Sequence, residues 1–401
     1  MNSIELFVGA GGLALGTARA GFRHLAVLDS DANACRTLRR NKAQGVDHAH
    51  EWEVLEEDVR LHDFKQYEGR VKFIAGGPPC QPFSLAGKHL GHEDDRDMFP
   101  EAVRAVRDIR PCGFVFENVK GLLRSGFEEY GDYVLHQLRL PDVPRQDRES
   151  WTHHLERLKK LYALDNCQSL RYDVVLSCLN AADYGVPQKR ERVLIVGTRS
   201  DLAIDFRFPA PTHSRDALLH DQWISGAYWK RHGLSPPATP PSRSKRRVAY
   251  LACGKTEPNG LPWRTVRDAI FDLPPVASGE TAASDPNHFL NPGARAYPGH
   301  DGSRWDEPAK TLKAGDHGVP GGENTVQLED GTVRYFSVRE CARLQTFPDE
   351  WTIEGSWTNA MKQLGNAVPV ALAARVALEL HSNLLDTGPA PEKSAPPPQP
   401  G

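Results

Sequence analysis

The residue most suited to chemistry in this chain is a cysteine that stands in a rigid setting. The apolar run 73–75 ends in two glycines and two prolines, 76–79, and Cys80 follows directly. Glycines let the backbone approach a ligand closely, while prolines fix φ and stiffen the turn that presents the sulfur. A thiol held in this way suits a nucleophile. The alternative is a buried, inert cysteine, which is the commoner state of this residue type.

Charged residues adjoin two other apolar runs. Glu117 ends the run 114–116, where loss of solvent should raise its proton affinity and suit it to general-acid chemistry. The alternative is an ordinary acidic residue at a helix start. Arg190 and Arg192 precede the run 193–196, and residues two apart in an extended chain lie on one face. Two guanidinium groups on one side suit a phosphate and a carbonyl oxygen, although a surface strand with alternating charges has the same pattern.

A glycine-rich turn lies near the start of the chain. Gly9, Gly11 and Gly12 belong to it, directly after a strand-like run, and Asp29 comes about 20 residues later. This spacing fits the dinucleotide fingerprint, in which amides at a helix N-terminus hold an anionic group and the acidic residue holds a ribose diol. A nicotinamide- or flavin-dependent oxidoreductase is therefore one interpretation of this turn. A tight strand-to-helix corner without a ligand is another.

Six motifs in chain order resemble those of the DNA (cytosine-5)-methyltransferases, along nearly the whole chain. One such match would carry little weight, whereas six in the family's order favour this resemblance over the oxidoreductase interpretation. The motifs are FVGAGG (7–12), GPPCQPFS (77–84), FENVK (116–120), QKRER (188–192), RECARLQTFP (339–348) and QLGNAV (363–368).

The resemblance implies S-adenosylmethionine as the methyl donor. The glycine-rich turn would approach its methionine carboxylate, Asp29 would hold the ribose hydroxyls, and Asp58 would contact the adenine amino group. The residues at the family's cofactor-binding positions are Phe7, Gly9, Gly11, Gly12, Asp29, Asp58, Pro78, Met98 and Asn366.

The resemblance also implies a covalent mechanism on a cytosine that has been flipped out of duplex DNA. Cys80 would attack C6 of the base, and Glu117 would contact N3 and the exocyclic amine. Arg192 would bind the O2 carbonyl, and Arg190 would contact a phosphate or the catalytic loop.

Further DNA contacts are expected outside these positions. The basic cluster at 243–247 suits phosphates, although such a run also suits a solvated loop. The glycine-rich loop 310–324 carries donors and acceptors for base edges. The predicted DNA-binding residues are Gln81, Ser84, Arg190, Arg192, Arg243, Lys245, Arg246, Arg247, Lys310 and Lys313.

The elements that must position these residues alternate along the first half of the chain. This alternation of strands and helices predicts a doubly wound, mostly parallel α/β sheet of Rossmann-like type, with ligands at the carboxyl ends of its strands. Ser337, followed three residues later by Glu340, predicts a capping box at a helix start. The strand-like runs are 3–8, 25–28, 71–75, 113–117, 172–179 and 193–198.

Changes in composition predict the domain boundaries. Residues 1–198 would form the catalytic and cofactor-binding domain. The proline-rich segment 199–350, with four tryptophans between 223 and 305, would form a target-recognition domain. Residues 351–386 would return to the first domain, and the polar, proline-rich tail 387–401 would be disordered.

Composition limits the class of protein. With 401 residues, 39% of them hydrophobic, the chain can bury a sizeable core. Seven cysteines without a Cys-x-x-Cys pair indicate reduced thiols and no metal site. Neither a signal peptide nor a membrane-spanning run is predicted, so we expect a cytoplasmic protein. A net charge of −3 requires any DNA-binding face to be a local patch.

The expected activity is therefore methylation of cytosine C5 in double-stranded DNA. We expect a monomer, associated with the nucleoid through DNA and typically partnered by a restriction endonuclease. An RNA (tRNA) cytosine methyltransferase is the alternative, because a related branch of the family carries the same motifs; the long segment 199–334 favours DNA. A DNA-binding regulator without catalysis is a third interpretation, against which Cys80, Glu117 and Arg192 are all present.

Overall fold

The computed structural model describes residues 1–79, 97–164, 169–254, 257–276, 285–296, 301–314 and 324–386. Its largest element is a seven-stranded sheet. In chain order its strands are β1 (Asn2–Leu6), β2 (Arg23–Asp29), β3 (Glu53–Glu56), β4 (Phe73–Gly76), β5 (Gly113–Val119), β6 (Tyr172–Asn180) and β7 (Glu191–Arg199).

The order of the strands across the sheet is β3-β2-β1-β4-β5-β7-β6. Strands β1 to β5 are parallel to their neighbours among themselves, and β7 is antiparallel to both β5 and β6. The predicted fold class, a doubly wound and mostly parallel α/β sheet, is confirmed. Strand β3 was not predicted, because it has four residues and a charged glutamate at each end. The carboxyl ends of β1, β2, β4 and β5 therefore lie along one edge, where ligands gather in such sheets.

The helices of the described residues lie on both faces of this sheet and in the segment that follows it. They are α1 (Gly12–Arg19), α2 (Ala32–Ala43), α3 (Phe99–Ile109), α4 (Glu128–Arg139), α5 (Trp151–Tyr162), α6 (Arg215–Trp223), α7 (Ala227–Arg231), α8 (Ser242–Ala252), α9 (Val266–Ile270), α10 (Val338–Leu344), α11 (Trp357–Asn366) and α12 (Val370–Asp386).

Alternate side chains of the central strands enter two separate cores. Ile74 and Phe116 pack with α3, α4 and α5 on one face. Phe73 and Val115 pack with α1 and α12 on the other. Period-two alternation of this kind is what a sheet covered on both faces requires.

Two glycines bring α1 against the last helix of the described chain. A β-carbon at Gly16 would lie 2.3 Å from the β-carbon of Ala373, and one at Gly12 would lie 2.2 Å from the carbonyl oxygen of Val368. No side chain fits at such distances, so the two backbones touch directly. The helix α1 therefore packs directly on α12, the last helix of the described chain.

The segment 199–350 contributes to more than one core. Around α6, α7 and α8 lie two small clusters, one with Tyr228 and Trp229, the other with Val248 and Leu251. Residues from Val266 onward instead pack in one cluster with α1 and α2. Two short strand pairs lie in the described part of this segment: β8 (His213–Ser214) with β9 (Leu261–Pro262), and β10 (Thr325–Gln327) with β11 (Val333–Tyr335).

The start of α10 matches its predicted cap. Ser337 accepts a hydrogen bond from the amide of Glu340, and the Glu340 carboxylate accepts one from the amide of Ser337. The capping box is confirmed, and it satisfies two amides that the helix itself leaves free.

One apolar stretch of the described chain, Trp357–Asp386, is long enough to cross a membrane, with a mean hydropathy of 1.2. The stretch is interrupted, since α11 ends at Asn366 and α12 begins at Val370. Half of its most apolar window (50%) is buried inside the protein, where α12 packs on α1. It is accounted for as a core element, since buried core helices meet the same criteria of length and hydropathy.

Candidate active site

The predicted nucleophile lies outside the described residues, as do Gln81 and Ser84. The chain that leads to it is described as far as Pro79, and the chain that returns from it begins at Asp97. The amide of Met98 donates to the carbonyl of Pro79 at 3.1 Å, so both ends of this stretch are fixed at one point. That point lies just beyond the carboxyl end of β4.

A carboxylate and an asparagine from β5 face this turn. The amide group of Asn118 donates to the carbonyl of Pro78 at 3.1 Å. A β-carbon at Gly77 would lie 3.5 Å from the Glu117 carboxylate. Adjacent strands thus bring the start of the cysteine motif beside Glu117, as expected for the carboxyl edge of a parallel sheet.

Glu117 forms an ion pair with Arg192 across β5 and β7. Arg192 Nε lies 2.7 Å from Glu117 Oε1, and both residues are buried, at 8% and 9% exposure. Burial raises the pKa of the Glu117 carboxyl, and the positive charge of Arg192 opposes that rise. The net effect is a raised pKa, as predicted from the apolar run that precedes Glu117.

The polar atoms of this pair are incompletely satisfied. Among the described residues, neither Glu117 Oε1 nor Arg192 Nε has a hydrogen-bond partner of good geometry, although the two atoms are close. Arg192 Nη1 donates to the carbonyl of Glu191 at 2.8 Å. Buried polar groups without partners are costly. A donor and an acceptor side by side suit a ligand that offers an acceptor and a donor of its own.

Arg190 differs from the prediction made for it. Its side chain is fully buried, and its guanidinium group donates to the carbonyls of Leu312, Gly365 and Ala367 at 2.9, 2.6 and 2.9 Å. The guanidinium is committed to backbone carbonyls and has no solvent-facing donor to offer a phosphate. In the described residues Arg190 instead connects the strand β7 to two later parts of the chain, which does not favour a phosphate contact. The alternative, a contact with the catalytic loop, stays a prediction.

The glycine-rich turn after β1 is held by Asp29. Its carboxylate accepts hydrogen bonds from the amides of Gly9 and Asp31, each at 2.8 Å. Phe7 and Gly9 have positive φ angles of 56° and 54°. A β-carbon at Gly9 would meet no atom within 4 Å, so this glycine borders open space. Burial raises the pKa of Asp29, whereas the two amides lower it.

The other two glycines of the turn face protein. A β-carbon at Gly11 would lie 3.0 Å from both Leu38 and Trp351, and the one at Gly12 would meet Val368. The amide of Gly11 already donates to the carbonyl of Val8 at 3.0 Å. Close packing alone therefore accounts for glycine at these two positions.

The remaining cofactor positions are spread along the same edge. The Asp58 carboxylate accepts from the amide of Arg60 at 2.9 Å and from its guanidinium group. Met98 is half-buried against the core below α3, Pro78 is buried, and Asn366 is exposed at the end of α11. Of these side chains, that of Asn366 is freely accessible.

The predicted DNA-binding side chains fall into paired and unpaired groups. On α8, Arg243 pairs with Glu307 and Arg247 with Asp216, while Lys245 and Arg246 are exposed and form no ion pair with a described residue. In the glycine-rich loop, Lys310 Nζ binds Asp301 at 2.9 Å.

Residues 315–323 of that loop lie outside the described residues. The two ends of this stretch are joined by Asn324, whose side chain binds the amide and the carbonyl of Lys313 at 2.9 and 3.0 Å.

Sequence reasoning missed the residues that arrange the site without carrying its chemistry. Asn118, Gln188, Asn324 and Gln345 each bind backbone groups of another segment. Three of them stand inside motifs quoted above, next to or near a predicted site residue. The presence of an Asn or Gln inside such a motif was therefore the signal in the sequence that could have indicated these contacts.

Comparison with known proteins identifies the family. The model of the family described as C-5 cytosine-specific DNA methylase matches residues 1–140, 152–249 and 265–382. The Type II methyltransferase M.Eco47II of Escherichia coli is 35% identical over 93% of this chain and 77% of its own length. The Type II methyltransferase M.NgoMIV of Neisseria gonorrhoeae is 30% identical over 94% of this chain and 96% of its own length.

Solved structures agree in fold. A DNMT2 mutant of Spodoptera frugiperda covers 96% of this chain and 99% of its own at a TM-score of 0.58 and 16% identity. The methyltransferase EhMeth of Entamoeba histolytica gives a TM-score of 0.57 at 15% identity, covering 96% and 98% of the two chains. These findings leave no support for the oxidoreductase or for a regulator without catalysis. The chain belongs to the C-5 cytosine-specific DNA methylase family and is a DNA cytosine-5 methyltransferase.

Proposed function

We propose that this enzyme transfers a methyl group from S-adenosylmethionine to a cytosine flipped out of duplex DNA, with Cys80, Glu117 and Arg192 as its catalytic residues. The buried ion pair of Glu117 and Arg192 carries the proposal. It stands beside the turn that leads to Cys80, and its unsatisfied polar atoms match a base that offers both a donor and an acceptor. The roles of all three residues in catalysis are part of the proposal.

The turn after β1 fits a cofactor with an anionic end and a ribose. Gly9 borders open space, and the Asp29 carboxylate keeps unused lone pairs beyond the two amides that it accepts. Phe7, Pro78 and Asn366 lie at the same edge of the sheet. When bound there, S-adenosylmethionine supplies an electrophilic sulfonium methyl group.

Cys80, Glu117 and Arg192 have separate roles in the reaction of the base. Attack by the Cys80 thiolate forms a bond from sulfur to C6 and moves an electron pair toward C5, which becomes nucleophilic. Glu117, whose raised pKa favours the protonated form, contacts N3 and the exocyclic amine, and Arg192 binds the O2 carbonyl. After C5 has gained the methyl group, loss of its proton returns an electron pair that expels the thiolate.

A trapping experiment tests the nucleophile. In DNA that carries 5-fluorocytosine at the target, the fluorine on C5 cannot leave as a proton, so the covalent complex should persist. We expect a protein–DNA band that survives denaturing electrophoresis and requires both S-adenosylmethionine and Cys80. The matched control is Cys253→Ala, since Cys253 is an exposed thiol directly after the end of α8. Trapping by a Cys80→Ala variant, or its absence from the wild-type enzyme on a mapped target, would contradict the proposal.

The relatives named as Type II methyltransferases support a restriction-modification role. We propose that the enzyme fills this role in the cytoplasm as a monomer, beside a cognate endonuclease. Bisulfite sequencing of a mixed-sequence plasmid after methylation should show one recurring site. Digestion of that plasmid by the endonuclease should then fail. Modified cytosines in unrelated sequences would exclude this role.

A further inference from the structure

A buried polar network joins the recognition segment to the catalytic strand β7. It consists of Gln188, Arg190 and Gln345, each with 0% of its surface exposed. Apart from Arg190 Nε, which has no partner among the described residues, the polar side-chain atoms of these residues form hydrogen bonds. Buried side chains bonded in this way fix one arrangement of the surrounding backbone. We call these three residues the junction network, because four segments of the chain meet at them.

The first part of the network binds the backbone of Leu312, in the segment 199–350 that we call the recognition segment. The Gln188 side-chain carbonyl accepts the amide of Leu312 at 2.9 Å, and Arg190 Nη1 donates to the Leu312 carbonyl at 2.9 Å. Both polar groups of this one residue are therefore held by side chains that precede β7. Backbone bonds between Pro187, Lys189 and Ala309 continue the contact.

The second part grips the end of α11 and the start of α12. Arg190 Nη2 donates to the carbonyls of Gly365 and Ala367. The Gln345 side chain donates to the carbonyls of Leu364 and Ala367 at 2.5 and 3.2 Å. Gln188 Nε2 closes the network by donating to Gln345 Oε1 at 3.1 Å.

Arg192 depends on this arrangement through the backbone. Its Nη1 atom donates to the carbonyl of Glu191, the residue between the two arginines, while its Nε atom faces Glu117. Any movement of the 190–191 backbone therefore moves the guanidinium group of Arg192. Displacements of about 1 Å in catalytic groups cost up to about 100-fold in rate.

We propose that the junction network positions Arg192 against Glu117. It does so only when the segment at Leu312 and the turn at 365–367 are both packed on β7. The inference rests on the proposed role of Arg192. Arg190, Gln188 and Gln345 act through Arg192 and do not contact the base.

A double-mutant cycle tests the coupling. Gln345→Met keeps the length of the side chain and removes its hydrogen bonds, and Arg192→Gln removes the guanidinium group. We expect Gln345→Met to lower kcat about 100-fold in the wild-type background and less than about twofold in the Arg192→Gln background. The melting temperatures should instead shift additively. Single-turnover methyl transfer and thermal unfolding supply the two readouts.

Controls separate positioning from loss of stability. Thr37→Val removes two hydrogen bonds of a buried hydroxyl, one to the Gln363 side chain and one from the amide of Glu354. It should lower the melting temperature without changing kcat. If Gln345→Met unfolds at the assay temperature, Gln188→Met enters the same cycle.

Equal losses of kcat in both backgrounds would overturn the positioning role and leave the proposed catalytic role of Arg192 intact. No loss in the single Arg192→Gln variant would overturn both.

Discussion

The carboxyl edge of the sheet and helix α8 both carry arginines, but the two regions hold them differently. At the sheet edge, Arg190 and Arg192 are buried and bind backbone carbonyls and a buried carboxylate. On α8, Arg243 and Arg247 are exposed and bind half-buried acids. Removing one partner of a buried pair leaves a charge without solvent, whereas water and salt replace a lost partner on the surface. We therefore expect single substitutions to act strongly at the edge and weakly on the helix.

The largest effect should follow from Glu117→Gln. The amide keeps the shape of the side chain but cannot deliver the proton or charge that the base requires, so kcat should fall by about 10²–10⁴-fold. Single-turnover transfer of a labelled methyl group measures it. The matched control is Glu191→Gln, because Glu191 is an exposed acid two residues before Val193 on β7 and pairs with Lys120. Equal effects of the two changes would refute the contrast between edge and surface.

A second strong effect should come from the contact between α1 and the residues just before α12. Gly12→Ala places a β-carbon against the Val368 carbonyl, and overpacking of this kind costs about 1–3 kcal/mol of unfolding free energy. Gly131→Ala is the control, because Gly131 lies inside α4 with its nearest neighbour 3.4 Å away. It should be neutral or stabilising by up to about 1 kcal/mol. Urea denaturation measures the free energy of unfolding of both variants. A stabilised Gly12→Ala variant would show that the two backbones are further apart.

Asp29→Ala should weaken binding of S-adenosylmethionine by about 1–3 kcal/mol, through lost charge-assisted hydrogen bonds to the ribose and a loosened turn. Isothermal titration calorimetry measures the change. Asp63→Ala is the control, since the Asp63 carboxylate likewise accepts a backbone amide, that of Lys65, but on the exposed surface. Unchanged affinity in Asp29→Ala would remove this residue from the cofactor site.

The smallest effects are expected on α8. The double change Lys245→Ala and Arg246→Ala should weaken DNA binding alike at all sequences and lower the slope of log K against log salt by about 0.9 for each lost phosphate contact. The change Arg243→Ala with Arg247→Ala should lower that slope less, because Glu307 and Asp216 already neutralise these side chains. Binding across a salt series tests both. A larger slope change for the paired arginines would reverse the assignment.

The same contrast explains how much of the molecule could be predicted from its sequence. Asp29 ends β2, and Glu117 lies two residues before the end of β5, so local pattern and the geometry of parallel sheets were enough to place them at one edge. The three carbonyls that bind Arg190 lie 122 to 177 residues further along the chain. No local pattern records such partners, so the spacing of the two arginines could not predict that Arg190 binds backbone carbonyls.

Ion pairs on α8 were missed for a related reason. Arg243 and Arg247 read as a basic cluster because their acidic partners, Glu307 and Asp216, are 64 and 31 residues away in the chain. Charge counted along a sequence is not charge displayed on a surface. Strand β3 was missed for a different reason. Its two inner residues, Val54 and Leu55, are too few to form a periodic pattern that predicts a strand.

The contact between α1 and α12 has a consequence for protein synthesis. The two helices are separated by about 350 residues, which a ribosome adds in about 20–70 s at roughly 5–20 residues per second. Throughout that time the glycine face of α1 has no partner, and the sheet lacks the helix that covers one of its faces. The helix α1 and the sheet therefore cannot reach their final packing until the whole segment between α1 and α12 has been made.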